Sequence, residues 1–466
     1  MNTEQALVQE MGIKSGKGEG ADETPAGYQA VFSAIRRNSL MIILAAFLAL
    51  VYLVYVSFSF DIVGLLSKAN PQRAVLLGTD AVAHKVHVTK FLRGDSEVVV
   101  AVEGERTATY EQPPEWVQEL EETTQVDLGQ GYLVTIQGDG LTMTVPDYGE
   151  IQVMLTPQGV ETILPEAAPQ PEWLRATTAK FDARPTIGRR VQVSRARIEV
   201  HRYFWGWENF FFPFRSQLST YSAEEVIRLA VSEQRLDPDQ PNWKLIFTTF
   251  WTNPDWQHGH VFKALLETFL MAVLGTLTAA MVGLPLAVLA ASNFTPSQVL
   301  RFAVRRLFDF LRGVDMLIWS LIFIRSFGLG PLTGSLAIAF TDTGSLGKLF
   351  SEALENVNRQ QMEGVHATGA NRLQFYRFGV IPQIIPIFVS QGLYFLESNV
   401  RSATIIGALG AGGIGLMLVE TINTQRDWEN TLYIILLTIF LVMAMDKISG
   451  SLRRRLIQGS ERSRNQ

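Results

Sequence analysis

From Leu40 to Phe60 the chain reads LMIILAAFLALVYLVYVSFSF, without one charged residue. A helix needs about 20 apolar residues to cross the hydrocarbon core of a bilayer, so this run predicts a membrane span. It ends in aromatic residues suited to an interface and follows Arg36 and Arg37, as an anchor entering from the cytoplasm would. A cleaved signal peptide would carry a shorter apolar region and a small-x-small cleavage site after it, so an uncleaved anchor is expected. The chain is 47% hydrophobic and 18% charged over 466 residues, a balance that excludes a disordered protein.

The net charge of −5 lacks the basic surface that holds phosphate backbones, so nucleic acid is not an expected partner. With 0 Cys there is no disulfide, no thiolate nucleophile and no cysteine metal site. The six histidines show no ligand spacing; His258 and His260 read as surface residues, and no metal site is expected. No catalytic constellation is present. The dinucleotide-like Gly410-x-Gly412-x-x-Gly415 lacks the strand-and-helix frame of a cofactor site, so its glycines read as a backbone break or a close helix approach.

Residues 1–38 read as a polar cytoplasmic tail, tightening into a short amphipathic helix over Tyr28 to Arg37, and residues 39–60 as the first span. Residues 61–261 contain no spanning run and change to alternating patterns, which predicts a folded aqueous insertion. Glu97 to Val102, Tyr132 to Gln137, Leu141 to Val145 and Ile151 to Leu155 read as strands, with Gly138-Asp139-Gly140 as a hairpin turn. Arg190 to Val200 alternates as well. The aromatic segments Tyr203 to Trp207 and Phe210 to Phe214 fit either a domain resting on headgroups or an ordinary aromatic core.

Residues 262–450 read as a membrane core with spans near Leu265 to Ala291, Leu307 to Phe327, Leu332 to Phe350, Ile384 to Leu409 and Leu432 to Ile448. Residues 351–382 form a cytoplasmic loop and 451–466 a cytoplasmic tail. Basic flanks (Arg36 and Arg37; Arg301, Arg305 and Arg306; Arg359, Arg372 and Arg377; Arg453 to Arg455) all fall on one side, which puts both termini in the cytoplasm and the insertion outside. The fold class expected is an all-α polytopic membrane protein of six transmembrane helices with a β-rich extracytoplasmic insertion after the first.

Within 351–382, SEALENVNRQQMEGVHAT has no breaker until Gly369, which sits where a helix end wants positive φ. Asn371 caps a second helix, RLQFYRFGV, whose Leu373, Tyr376 and Val380 are expected on one face before Pro382. A short helix lying across the cytoplasmic end of a bundle is a docking ridge, with Glu363 and Arg372 setting register on a soluble partner.

Glu363-Gly364-Val365-His366-Ala367-Thr368-Gly369, then nine residues, then Gly379-Val380-Ile381-Pro382, resembles the EAA loop of permease subunits of binding-protein-dependent ABC importers. Their pattern is E-A-A-x3-G-x9-I-x-L-P. Glu363, Gly369 and Pro382 fall on its spacing with Ile381 at the leucine position, while Gly364, Val365 and Gly379 depart from it. Asn399 to Thr404 followed by Gly407 to Gly415 looks like phosphonate-import permeases, which share this segment in part with methionine-import permeases. The resemblance runs from about Phe262 to Leu456. It implies a coupling role for Glu363, Gly369, Ala370, Asn371, Arg372, Ile381 and Pro382, and a gate or packing role for Gly407, Gly410, Gly412, Gly413 and Gly415.

Ionisable residues inside spans are functional suspects because each costs about 2.5 to 3.5 kcal/mol to insert. Arg312 with Asp315, and Glu397 with Arg401, are spaced to pair along one helix face. Arg401 is the better candidate for an anionic ligand, since its planar fork matches phosphonate oxygens. Glu397, Asn399, Arg401, Ser402 and Thr404 therefore form the expected substrate pathway.

The resulting expectation is an inner-membrane permease subunit and not an enzyme, since no phosphate-cradling G-x4-G-K-[ST] is present and ATP and Mg belong to separate ATPase subunits. The resemblance implies ATPase partners, an extracytoplasmic solute-binding protein and a second permease copy, in contact with lipid. It implies phosphonate, phosphate or phosphite as cargo and leaves the choice open. A methionine-type or other small-solute permease, and a membrane-anchored sensor reading signals through 61–261, are the alternatives.

Overall fold

A computed structural model describes residues 26–68, 71–92, 97–103, 108–120, 122–165, 170–424 and 428–464. Most of the expected 1–38 tail lies outside these residues. The chain divides into two units, Met1–Ala74 and Val75–Gln466.

In the first unit, α1 (Ala26–Ser59) is one unbroken helix, so the expected short amphipathic helix and the span are continuous. Asp61, at φ 47°, ends it and accepts the Gly64 amide at 3.1 Å before α2 (Ile62–Lys68) begins. From Met41 to Ser59 the apolar side chains point outward, as lipid contact requires. The helix α3 (Pro71–Asp80) crosses into the second unit.

The second unit opens with a sandwich of two six-stranded antiparallel sheets. The first sheet has the order β2-β1-β12-β11-β10-β9, from β1 (Ala83–Phe91), β2 (Val98–Val102), β9 (Leu174–Ala176), β10 (Lys180–Thr186), β11 (Arg189–Ser194) and β12 (Arg197–Trp205). The second runs in sequence order from β3 (Val117–Glu119) through β4 (Thr123–Gly129), β5 (Tyr132–Gln137), β6 (Gly140–Val145) and β7 (Gly149–Thr156) to β8 (Gly159–Ile163). Side chains alternate across each strand, so Val86, Val88, Ile198 and Val200 of the first sheet meet Val126, Val134, Ile136, Met143 and Ile151 of the second in one core. Each such side chain contributes at most about 1.5 to 3 kcal/mol by burial.

The turn between β5 and β6 is a two-residue loop with Gly138 at φ 53°. The alternating stretch Arg190 to Val200 is not one strand: it is the β11–β12 hairpin, because Ser194 Oγ accepts the amides of Ala196 and Arg197 at 3.4 and 3.3 Å and closes a turn there.

Two short helices, α4 (Ala223–Val231) and α5 (Asn242–Trp251), lead to the helical part. This comprises α6 (His258–Ala290), α7 (Gln298–Gly313), α8 (Met316–Phe327), α9 (Pro331–Glu355), α10 (Arg359–Ala367), α11 (Arg372–Gln374), α12 (Ile381–Ile406), α13 (Gly413–Thr424) and α14 (Trp428–Arg464). Among the described residues, four helices are long and apolar enough to cross a membrane: Met41–Ser59, His258–Ala290, Arg372–Ala411 and Trp428–Arg455.

The expected span Leu307 to Phe327 is broken. Asp315 caps α8 by accepting the Leu317 amide at 2.8 Å, and Arg312 instead pairs with Asp309 at 2.9 Å, so the Arg312–Asp315 pair is not formed. The helix before the break, α7, is amphipathic and buries only Val304, Phe308 and Leu311. Arg305 ties it down, donating Nε to the Ala290 carbonyl at 3.1 Å and Nη2 to Glu355 at 2.5 Å.

At the centre is α9, packed against α6, α7, α8 and α12. Its small residues explain both that position and its modest hydropathy. A Cβ on Gly275 of α6 would meet Ile338 of α9 at 2.6 Å, so that glycine sets how closely the two helices approach.

An aromatic seam joins sandwich and helices. Phe210 packs on Trp256, His258 and Tyr433 with ring centroids 4.8, 4.9 and 5.4 Å away. His258 is buried rather than a surface residue: Nε2 donates to the Phe210 carbonyl at 2.7 Å and Nδ1 accepts the Tyr433 hydroxyl at 2.8 Å. Of the two readings of the aromatic segment, the core reading describes Trp207 and Phe210, whereas Trp205 and Phe211 are exposed.

Candidate functional site

Three places along α9 to α14 gather the residues singled out in the sequence. The first is the loop after α9. The expected single helix from Ser351 stops at Glu355 and restarts at Arg359, because Asn358 turns its side chain onto the Gln360 and Gln361 amides at 2.9 and 3.4 Å. On α10, Glu363 is exposed. Gly369 has φ 78°, the conformation its turn requires, and an exposed reciprocal cap follows: Asn371 accepts the Gln374 amide at 2.9 Å and donates its own amide to the Gln374 side chain at 3.0 Å.

The second helix of this loop differs from expectation. After α11 the residues Phe375–Val380 form a π-helical turn, which rotates the following side chains relative to α-helical spacing. Val380 and Gly379 are buried and Phe375 packs against the cluster that holds Val380 and Ile384, while Leu373 and Tyr376 are exposed, so Leu373, Tyr376 and Val380 do not share a face. The outcome is a ridge with Glu363, Arg372, Leu373, Tyr376 and Phe378 outward. Gly369→Val is expected to lower the yield of complex recovered with the ATPase subunits, since a β-branched residue is strained at positive φ. Because, among the described residues, nothing beyond its chain neighbours lies within 4 Å of a Cβ there, Gly369→Ala should be milder. Copurification of both variants at the wild-type ratio would show that the turn can reform without glycine.

The second place is a buried polar node between α6, α9 and α12. The Asn399 amide donates to Asp342 Oδ2 at 2.5 Å and to Thr276 Oγ1 at 2.8 Å, and the three residues are 2%, 3% and 5% exposed respectively. Asn399 thus faces into the bundle, turned away from Arg401. The sequence reading missed Asp342, although an acidic residue within TDTGS in the expected span Leu332 to Phe350 was the signal that should have raised it.

The third place is the outward side of α12 with the glycine segment beyond it. Glu397 pairs with Arg453 of α14 at 2.6 Å; Arg401 stands 3.9 Å from its other oxygen, so the expected Glu397–Arg401 pair is secondary. The Arg401 side chain is 53% exposed. Ser402 and Thr404 are half-buried, Thr404 bonding back to the Val400 carbonyl at 3.2 Å. Beyond Ile406 the helix loosens into a π turn at Gly407–Ala411, and positive φ at Gly410, Gly412 and Gly413 reverses the chain into α13. Gly407 and Gly415 have no room for a Cβ, which would strike the Gly412 and Thr404 carbonyls respectively, so both a break and a close approach are present.

A cavity of about 510 Å³ between the sandwich and the helices is lined by the carboxylates of Glu103, Glu208, Asp255, Glu420 and Glu429. Its charge makes it a poor seat for an anion.

The loop ridge, Arg401 and most of the helical bundle lie in the part of the chain that matches a family of membrane transport components. The family described as binding-protein-dependent transport system inner membrane component matches residues 283–459. A putative phosphite transport system permease of Stutzerimonas stutzeri is 35% identical over 193 residues, 41% of this chain and 68% of that protein. The phosphate-import permease of Mycolicibacterium smegmatis is 34% identical over 195 residues, 42% of this chain and 36% of that protein. A putative cryptic phosphonate transport system permease of Escherichia coli is 44% identical over 122 residues, 26% of this chain and 99% of that protein. Among solved structures, the inward-facing MetNI methionine ABC transporter aligns with 42% of this chain and 96% of its own at 19% identity, with a TM-score of 0.38. The chain belongs to the family of binding-protein-dependent transport system inner membrane components, among its phosphonate-type permeases. The sandwich lies outside the matched residues.

Proposed function

We propose that this chain forms the membrane pathway of an importer for a phosphorus oxyanion (phosphonate, phosphite or phosphate) and works as a homodimer driven by separate ATPase subunits. The observation that carries the reading is Arg401, a cation half exposed on a helix that is otherwise apolar enough to span the bilayer. Facing lipid it would be costly, so the exposed side of α12 is read as covered by a second copy around a wet path, where the guanidinium fork meets phosphorus oxygens. The names of the relatives support the cargo class. In this reading six spans carry the chain across the membrane, with α8 and α9 supplying two that are shorter or less apolar than the other four. The termini are cytoplasmic, the sandwich is extracytoplasmic near the delivering binding protein, and lipid surrounds the dimer. ATP and Mg stay with the ATPase.

The exposed Glu363 and Arg372 support docking of the ATPase on the loop, with Gly369, Ala370, Asn371, Ile381 and Pro382 shaping it; Gly407 to Gly415 act as the outer gate. Truncating one partner of a buried interfacial charge pair costs about 2 to 5 kcal/mol. Glu363→Ala is therefore expected to cut both uptake and binding-protein-stimulated ATP hydrolysis at least about tenfold. Unchanged values for both would remove the loop from coupling. Radiolabelled phosphonate, phosphite and phosphate uptake in cells lacking other importers identifies the cargo.

A further inference from the structure

On the first sheet of the sandwich, the face turned away from the hydrophobic core carries two histidines directly opposite each other, His87 on β1 and His201 on β12. Their rings stack with centroids 4.1 Å apart and planes 24° apart. Glu199, two residues along β12 and on the same face, brings Oε1 to 3.9 Å from His87 Nδ1. One donor atom from each of the three residues lies within 4.8 Å of the others. His201 is 4% exposed, yet among the described residues neither of its ring nitrogens has a hydrogen-bond partner, and His87 Nε2 has none either.

Burying polar nitrogens without partners is unfavourable, so their arrangement here calls for a ligand. The nearby cations are otherwise engaged. Lys85 pairs with Glu103 at 2.8 Å, Arg190 with Asp182 at 2.7 Å, and Arg197 with Glu199 Oε2 at 3.1 Å, which leaves Glu199 Oε1 on the histidine side. Burial, reinforced by Lys85, Arg197 and Arg190, pushes His87 down to about 3, and burial likewise holds His201 well below its ordinary value, so both rings are neutral. A neutral imidazole offers the lone pair a metal needs.

We propose that His87, His201 and Glu199 form a binding site for a divalent transition-metal ion of the zinc class. Two imidazole nitrogens select against calcium and magnesium, and two nitrogens with one carboxylate oxygen are a familiar zinc donor set that leaves a fourth position for water or another ligand. Tetrahedral bonds of about 2.0 to 2.1 Å set donors about 3.3 Å apart, so side-chain rotation has to close gaps of at most about 1.5 Å. The ion would clamp β1 to β12 where the polar face would otherwise hold unpaired nitrogens. The site is independent of the transport reading.

The test uses the full chain, purified without a histidine tag in detergent and stripped with a chelator. Zinc retained after desalting is expected at one ion per chain. Cobalt substituted for it should give visible absorption bands in the range of tetrahedral nitrogen and oxygen coordination. Zinc should also raise the unfolding midpoint by several degrees, reversed by chelator. His201→Gln and His87→Gln are each expected to weaken binding at least about tenfold, whereas His260→Gln, at an exposed histidine away from the site, leaves it unchanged. His87 is partly exposed, so its variant gives the reading even if His201→Gln folds poorly. Absence of zinc from the wild-type chain, or equal affinity in the His87 variant, overturns the site.

Discussion

Asn399→Leu is expected to lower the unfolding midpoint of the purified chain by several degrees and to reduce the yield of folded protein. The side chains are close in volume, so the effect comes from chemistry. One amide group supplies hydrogens to both Asp342 and Thr276, and its loss leaves a carboxylate buried among α6, α9 and α12 without that donor. A charged group deprived of a partner in such surroundings costs about 3 kcal/mol. The conservative change Asp342→Asn keeps an acceptor oxygen facing Asn399 and should melt near wild type. Thermal unfolding in detergent checks both, and equal midpoints for Asn399→Leu and wild type would mean that the node does not hold the three helices together.

The case of Asn399 shows where sequence reading works and where it stops. Periodicity located β5 to the residue and α12 closely and found the apolar middles of α6 and α14, whose polar ends extend to His258 and Arg464 beyond the expected spans, because a long apolar run or strict alternation leaves the chain one low-energy choice. Gly369 and Asn371 were legible because turn and cap chemistry is local. The α7–α8 break was legible in principle, since Asp315 after Gly313 is a cap signal, but the apolar residues on both sides concealed it. Partners distant in sequence were not legible. Asn399 was assigned to the pathway from its neighbours on the chain, yet a helix turns each residue about 100° from the last, and two positions separate the buried Asn399 from the exposed Arg401. His87 and His201 meet only through the register of β1 on β12, which no spacing rule contains. The π turns at Phe375–Val380 and Gly407–Ala411 likewise shift faces without any compositional mark beyond their glycines.

Arg401 carries the other large effect. Arg401→Leu is expected to abolish phosphonate uptake, and Arg401→Lys to retain part of it, because lysine keeps the charge and loses the fork that binds two oxygens at once. A permease site has to admit a dianion and release it again, so partial loss of contact reduces flux before it reduces folding. The structure separates the two. Glu397 holds its close pair with Arg453 at 2.6 Å whether or not Arg401 is present, so Arg401→Leu leaves no buried acid stranded and should melt near wild type. Arg453→Gln, by contrast, should destabilise the chain, since it removes the nearer partner of Glu397. If Arg401 served only to neutralise Glu397, the double change Glu397→Gln with Arg401→Gln would restore transport. Because Glu397→Gln also removes the 2.6 Å partner of Arg453, Glu397→Gln alone is the control; a substrate-facing Arg401 predicts that the double variant fails to import even where Glu397→Gln folds and assembles with the ATPase, and recovery of uptake would reassign Arg401 to the ion-pair cluster of α12 and α14.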